Sequence, residues 1–176
     1  MNIGGIIWGN DEYSESKIAN VGIGFNDPKT VLDVHHSGSD LSSMADNTGG
    51  GEVVYFGGES EETPCAAGKL MYLHTDNKWY PTDADAVASG GYQLLGICMG
   101  DTAGSGGMLI RGFFDMNRYT EGTFAIGMPC YVSENAGYLD FTAPSGSGDY
   151  IRVVGYATST AKVIYFDPSK TWVELT

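Results

Sequence analysis

The chain repeats itself. Shifted by 59 positions, residues 66–102 align with residues 125–161 without a gap. "AAGKLMYLHTDNKWYPTDA" falls on "AIGMPCYVSENAGYLDFTA", and "QLLGICMGDT" falls on "RVVGYATSTA". The matches occupy structurally telling positions: Gly68 with Gly127, Tyr72 with Tyr131, Trp79 with Tyr138, Gly96 with Gly155. After a short deletion, "GMLIRG" at 107–112 falls on "AKVIYF" at 161–166. A unit of about 55 residues has only a marginal core of its own. Two copies are therefore expected to complete one shared core, over residues 62–116 and 121–176.

The content of the unit points to strands. From Val53 onwards, short apolar runs recur roughly every ten residues, the rhythm of a β-sandwich or barrel. The spacing predicts strands at 53–56, 69–73, 78–80, 93–98, 107–114, 129–133, 137–142, 150–157, 162–167 and 171–175. Turn-formers separate them: "TDNK" at 75–78, "SENAG" at 133–137 and "PSGSGD" at 144–149. "TDADAVASGG" at 82–91 has room for one helical turn, and no longer amphipathic helix is visible at i, i+3, i+4 spacing. The 26 glycines follow no G-X-Y period, so they serve turns rather than a collagen helix. The fold class is all-β.

Three segments follow from these patterns. Residues 1–36 form an N-terminal extended arm, with strand character at Val21–Ile23 and Val31–Val34 around an Asp27-Pro28 turn. Its apolar positions are too few to bury themselves, which calls for packing against further copies of itself or against the adjacent domain. Residues 37–52, rich in Gly and Ser, read as a connector, and Gly49–Gly51 as a flexible joint. Residues 53–176 are the duplicated β-domain.

Charge narrows the partners. With 22 acidic and 9 basic side chains the net charge is −13, which lacks the basic footprint that nucleic acid requires. Anionic membranes repel such a chain too, and no apolar run reaches membrane-spanning length. No secretion signal is apparent at the N-terminus, so synthesis is expected in a reducing cytoplasm. Cys65, Cys98 and Cys130 are an odd number without metal-ligand spacing, and they read as small buried apolar residues. One disulfide with a spare thiol also fits them, and sequence alone names no pair.

No residue pattern assembles a catalytic site. Histidine is scarce: His35, His36 and His74. Asp33 and His35 would share one face of a strand, and a trimer would ring three copies of His35 about an axis, yet this is short of a ligand set. His74 sits among turn residues and is replaced by Ser133 in the second copy. Asp83 with Asp85, or Glu59 with Glu61 and Glu62, offer carboxylates, and nothing sets two of them across a cleft. "TDADAVASGG" lacks the final acid of a Ca²⁺ loop, and Gly49–Gly51 lacks the Lys-Ser/Thr of a phosphate loop. Most aromatic residues belong to the core, and a minority near loops could stack on sugar rings. We therefore expect no catalytic, cofactor or metal residues, and no enzyme activity.

The motifs do resemble a family. "NVGIGFNDPKTVLDVHHSG" at 20–38 resembles the "VGIG…P…L.V" segment of bacteriophage tail-fibre shafts and necks. "GGGEVVYFG", "AGKLMYLHTDNKWYPTDADA", "QLLGICMG", "GMLIRGFF" and "VIYFDPSKTWVEL" are similar to a β-domain of fibres from cyanophage-like viruses. The resemblance implies a non-enzymatic virion structural protein, homotrimeric, contacting other virion proteins and in some cases a host-surface glycan. The "AG.LVYL…G.W" cadence also occurs in small capsid-decoration proteins, which leaves a cement protein as the alternative. A carbohydrate-binding module is the second alternative.

Overall fold

The computed structural model describes residues 44–159 and 162–176, together with the backbone of residues 2–3, 7–9, 21–23 and 32–34. The chain divides into two units, Met1–Asp40 and Leu41–Thr176, with the division inside the segment read as a connector. In the first unit β1 (Asn2–Ile3), β2 (Ile7–Gly9), β3 (Val21–Ile23) and β4 (Leu32–Val34) lie side by side in that order. The β3–β4 pair is parallel and sets Gly22 opposite Asp33. His35 and His36 lie outside the described residues.

The second unit is mostly strand, as the alternating apolar runs predict. Its core strands are β5 (Gly49–Val54), β7 (Leu70–Leu73), β8 (Lys78–Pro81), β9 (Leu95–Cys98) and β10 (Met108–Asp115). They are followed by β12 (Pro129–Val132), β13 (Leu139–Asp140), β15 (Val153–Ala157) and β16 (Val163–Phe166). Two short strands close the ends: β6 (Gly58–Glu59) runs parallel to β8, and β11 (Thr120–Glu121) runs parallel to β13. A separate pair joins β14 (Tyr150–Ile151) to β17 (Val173–Glu174). The path through the large sheet is β11-β13-β12-β15-β16-β10-β9-β7-β8-β6, so the order of strand types reads alike from either end.

Strand β10 is the organiser. Along one edge it pairs with β5, from Met108↔Val54 to Phe114↔Gly49, with Ile110 left out as a bulge. Along the other edge β9 takes Met108 and Leu109, and β16 takes Gly112–Asp115. The sheet thus forks at the bulge into two arms, which bury their sides in one core. Leu70, Leu95, Ile97 and Leu109 come from the first arm, and Cys130, Val132, Leu139, Val154, Ile164 and Phe166 from the second. The bulge also switches the facing of β10, since Leu109 precedes it in this core and Phe114 follows it there.

The first arm is buried on both faces. Behind it lies a second cluster of Cys65, Met71, Trp79, Cys98, Ala103 and Met108. This explains why "LMYL" and "LGIC" are continuously apolar rather than alternating. Covering that cluster is a short helical turn, α1 (Ala103–Gly106), which sequence periodicity did not signal. Thr102 Oγ1 accepts from Ser105 N, and the Glu59 carboxylate accepts from Ala103 N at 3.1 Å.

Backbone hydrogen bonds recur at the 59-residue spacing. Gly68 N–H donates to Cys98 O and Gly127 N–H to Ala157 O, at 2.9 and 2.8 Å. Cys98 N–H donates to Lys69 O and Ala157 N–H to Met128 O, both at 2.9 Å. Met71 faces Gly96 across the ladder as Cys130 faces Gly155. Gly68 and Gly127 both need positive φ, 95° and 82°, at the turn entering the arm. The return strand departs from the sequence alignment: Met99 N–H bonds Gly107 O and Thr158 N–H bonds Val163 O, so Val163, not residue 161, takes Gly107's place. The first connection, which holds α1, is thus three residues longer than the second, where the alignment implied five.

Of two expectations for glycine-rich segments, one is corrected and one is met. Gly49–Gly51 is not a flexible joint but the first half of β5. Gly51 faces Gly112, and a Cβ on either would lie 2.3 Å from a backbone oxygen of the opposite strand. Residues 82–91 do hold one turn, a 3₁₀ turn at Val87–Ser89.

Candidate functional site

The loops that differ between the two sequence copies meet in space. Residues 82–91, the 133–137 hairpin and 144–149 are joined by backbone bonds, Ala84 N–H to Ser133 O and Tyr150 N–H to Ala84 O, both 2.9 Å. The buried Tyr150 hydroxyl donates to Ser89 O at 3.1 Å and pins the 3₁₀ turn from below. At this junction the carboxylates of Asp85, Glu134 and Asp149 approach within 4.8 Å of one another. Asp85 and Glu134 are exposed and Asp149 is buried. Local bonds hold two of them, Ser145 N–H donating to Glu134 Oε1 and Gly146 N–H to Asp149 Oδ2, while Asp85 N–H donates to the neighbouring Asp83 Oδ1.

Partial dehydration, followed by the charges of Asp83 and Asp149, holds the Asp85 carboxyl above its usual range. Three carboxylates at such separation repel one another at neutral pH, and a hard divalent cation is the species whose oxygen ligands they resemble. They fall short of its six to eight ligands, so water and carbonyl oxygens would have to complete the shell. The sequence pointed to Asp83 and Asp85, and it missed Glu134 and Asp149. The only available signal was that all of them sit in loops where the copies diverge.

Glu59, Glu61 and Glu62 do not form an acid–base pair. Glu59 caps α1, while Glu61 and Glu62 are exposed. His74 makes a surface network rather than standing alone. Its Nδ1 lies 3.0 Å from Asp76 Oδ1, and Tyr80 donates to Asp76 Oδ2 at 2.9 Å. Hydrogen bonds from His74, Tyr80 and the Lys78 amide outweigh desolvation and hold the Asp76 carboxyl below its usual range. Tyr80 in turn is raised, first by its bond to that carboxylate. The hairpin turns at Asn77, with φ of 62°, so the network stiffens a turn.

The second arm carries an aromatic surface. Pro129 pairs with Tyr156, Tyr156 with Tyr165, and Tyr165 with Phe113, a row across four neighbouring strands. Residues directly opposite in a ladder share a face. Tyr156 is 49% exposed, and Ile126 and Met128 stand exposed beside the start of β12. Phe113 and Tyr165 pack with ring centroids 5.2 Å apart, and Arg111 Nε donates to the Tyr165 hydroxyl at 3.0 Å. Exposed aromatics were expected near loops; Tyr92, beside Trp172, meets that expectation, whereas this row lies mid-sheet.

Compared with protein-family models, curated proteins and solved structures, the chain matches none.

Proposed function

We propose that this chain is a non-enzymatic structural protein of a tailed-bacteriophage virion, a trimeric fibre or fibre-like component exposed on the particle. The observation that carries the reading is the run of fibre-like motifs, "NVGIGFNDPKTVLDVHHSG" followed by the "AGKLMYLHTDNKWYP" and "QLLGICMG" strands. The architecture is compatible with it: the described residues go into a hydrogen-bonded frame, and the recurring bonds at 59-residue spacing fit a sandwich built by duplicating one unit. The N-terminal unit attaches and trimerises, and the β-domain forms the exposed body. Adhesion then arises from weak contacts multiplied by valency.

Electron microscopy of intact particles with this chain labelled tests the assignment. Label on a tail appendage is expected. Label spread over the capsid lattice would replace the fibre reading with the decoration reading, and unlabelled particles would remove both. Native mass measurement tests the trimer, which a monomer at micromolar concentration would exclude.

A carbohydrate-binding module is the second reading, and the Pro129–Tyr156–Tyr165–Phe113 row favours it. Partly exposed rings aligned across a sheet, with Tyr156 the most open, offer faces on which sugars stack. A glycan array with a parallel hydrolysis assay decides: binding without turnover supports recognition, and any turnover contradicts the non-enzymatic assignment.

A further inference from the structure

Three cysteines permit three pairings, and the structure selects one. Cys65 and Cys98 belong to the same buried cluster behind the first arm. The chain reverses at residues 65–69, where Gly68 N–H bonds Cys98 O and Cys98 N–H bonds Lys69 O, both at 2.9 Å. That reversal lays Cys65 against the end of β9. The two thiols lie close enough to act on each other's ionisation, and Ala66, one residue from Cys65, lies near the Cys98 sulfur. Cys130 is elsewhere, in the core between the arms.

We propose that Cys65 and Cys98 form a dithiol that closes to a disulfide in oxidising surroundings, stapling the 59–66 segment to β9, while Cys130 stays a free thiol. Chemically the two sulfurs have unequal roles. The neighbouring Cys98 thiol holds the Cys65 thiol below its usual range, with Lys69 also favouring the thiolate. Cys98 is held far above its range, first by the Cys65 sulfur itself and then by burial. Cys65 lies on the loop between β6 and β7 whereas Cys98 lies in β9, so local opening presents Cys65 first, as the attacking thiolate.

With a low-molecular-mass disulfide as oxidant, Cys65 attacks one of its sulfurs and expels the other as a thiolate. Once Cys65 is in the mixed disulfide, the first of the two influences that raised Cys98 is gone, and the local opening relieves its burial. Cys98 loses its proton to the expelled thiolate and attacks the Cys65 sulfur, which releases the second small thiol. One disulfide is consumed and one formed; two protein thiols are oxidised and two small thiols appear. Access comes by local opening of residues 60–66, which lie between β6 and β7 and carry the isolated bridge Ser60↔Thr63. Burial raises the Cys130 thiol to about 12, which keeps it unreactive near neutrality.

The test uses the full chain, purified reduced and then incubated natively with oxidised glutathione. The expected result is an intact mass lower by two hydrogens and a Cys65–Cys98 linked peptide after unreduced digestion. The thermal midpoint should rise by about 5 °C or more and fall back with dithiothreitol, because the bond closes a long loop of the unfolded chain. Cys130→Ala should keep the linked peptide, and Cys65→Ala should lose it. A linkage to Cys130, a persistent glutathione adduct on Cys65, three thiols still titrating, or a lowered midpoint would each overturn the proposal.

Discussion

Arg152 shows how one residue can tie distant loops together. It is 6% exposed, and its guanidinium donates to three carbonyls: Ser169 O, Gly90 O and Gln93 O, at 2.8, 2.6 and 2.8 Å. Burial lowers its pKa, and among the described residues no carboxylate hydrogen-bonds it. Arg152→Lys keeps the charge and loses the fork, so chemical denaturation should show a loss of about 2–3 kcal/mol. An unchanged midpoint would mean the carbonyls find other donors. Asp115 presents the opposite case. It is buried, its Oδ1 has no hydrogen-bond partner among the described residues, and burial followed by the charge of Asp46 raises its pKa. The folded state therefore holds the proton more tightly than the unfolded one, and ionisation of Asp115 costs stability. That cost is present above the raised pKa and vanishes as pH falls below the unfolded value. Asp115→Asn should melt higher than the parent at neutral pH, with the gap closing on acidification; a lower midpoint at neutral pH would contradict this. Neither role was legible in the sequence, where Arg152 matches Gln93 and Asp115 simply ends an apolar run. Burial comes from residues far along the chain.

At the scale of elements, local signals were read well and long-range ones were not. The 74–78 hairpin was legible because Asn77 tolerates the left-handed conformation the turn needs. Strands β7, β8, β9 and β12 fall within a residue or two of their apolar runs for the same local reason. Strand β5 was missed in its glycine half, since glycine carries no facing pattern. What makes Gly49–Gly51 a strand is the approach of β10, which no side chain would permit. Gly112→Ala, with φ of 145° and a Cβ only 2.3 Å from Gly50 O, should therefore cost about 3 kcal/mol or more. Gly104→Ala is the control: its Cβ meets nothing within 4 Å and it lies in α1, so stability should hold or rise slightly. Equal effects of the two would sink the close-approach argument.

For the whole molecule, matched backbones do not mean matched surroundings. Met71 and Cys130 occupy corresponding ladder positions, yet Met71 lies in the cluster behind the first arm and Cys130 in the core between the arms. Leu70 and Ile97 are in that core, whereas their counterparts Pro129 and Tyr156 are in the open row. The arms stack in the same sense, front against back, which leaves the front of the second arm facing outwards. The same stacking gathers Asp85, Glu134 and Asp149. With divalent cations removed by a chelator, Asp85→Asn should raise the thermal midpoint at neutral pH, because one of three repelling charges is gone. The gain should shrink as acid protonates Asp85 in the parent, and a loss at neutral pH would refute the repulsion. By itself the sequence determined the β class, the strand rhythm, the tight turns and the 59-residue correspondence, because these depend on residue type and spacing within a few positions. Only the tertiary structure decided which face of each arm is buried, which loops share charge and which cysteines meet. Those outcomes hinge on the bulge at Ile110 and the fork of β10, and a one-residue shift there exchanges the two faces of a strand.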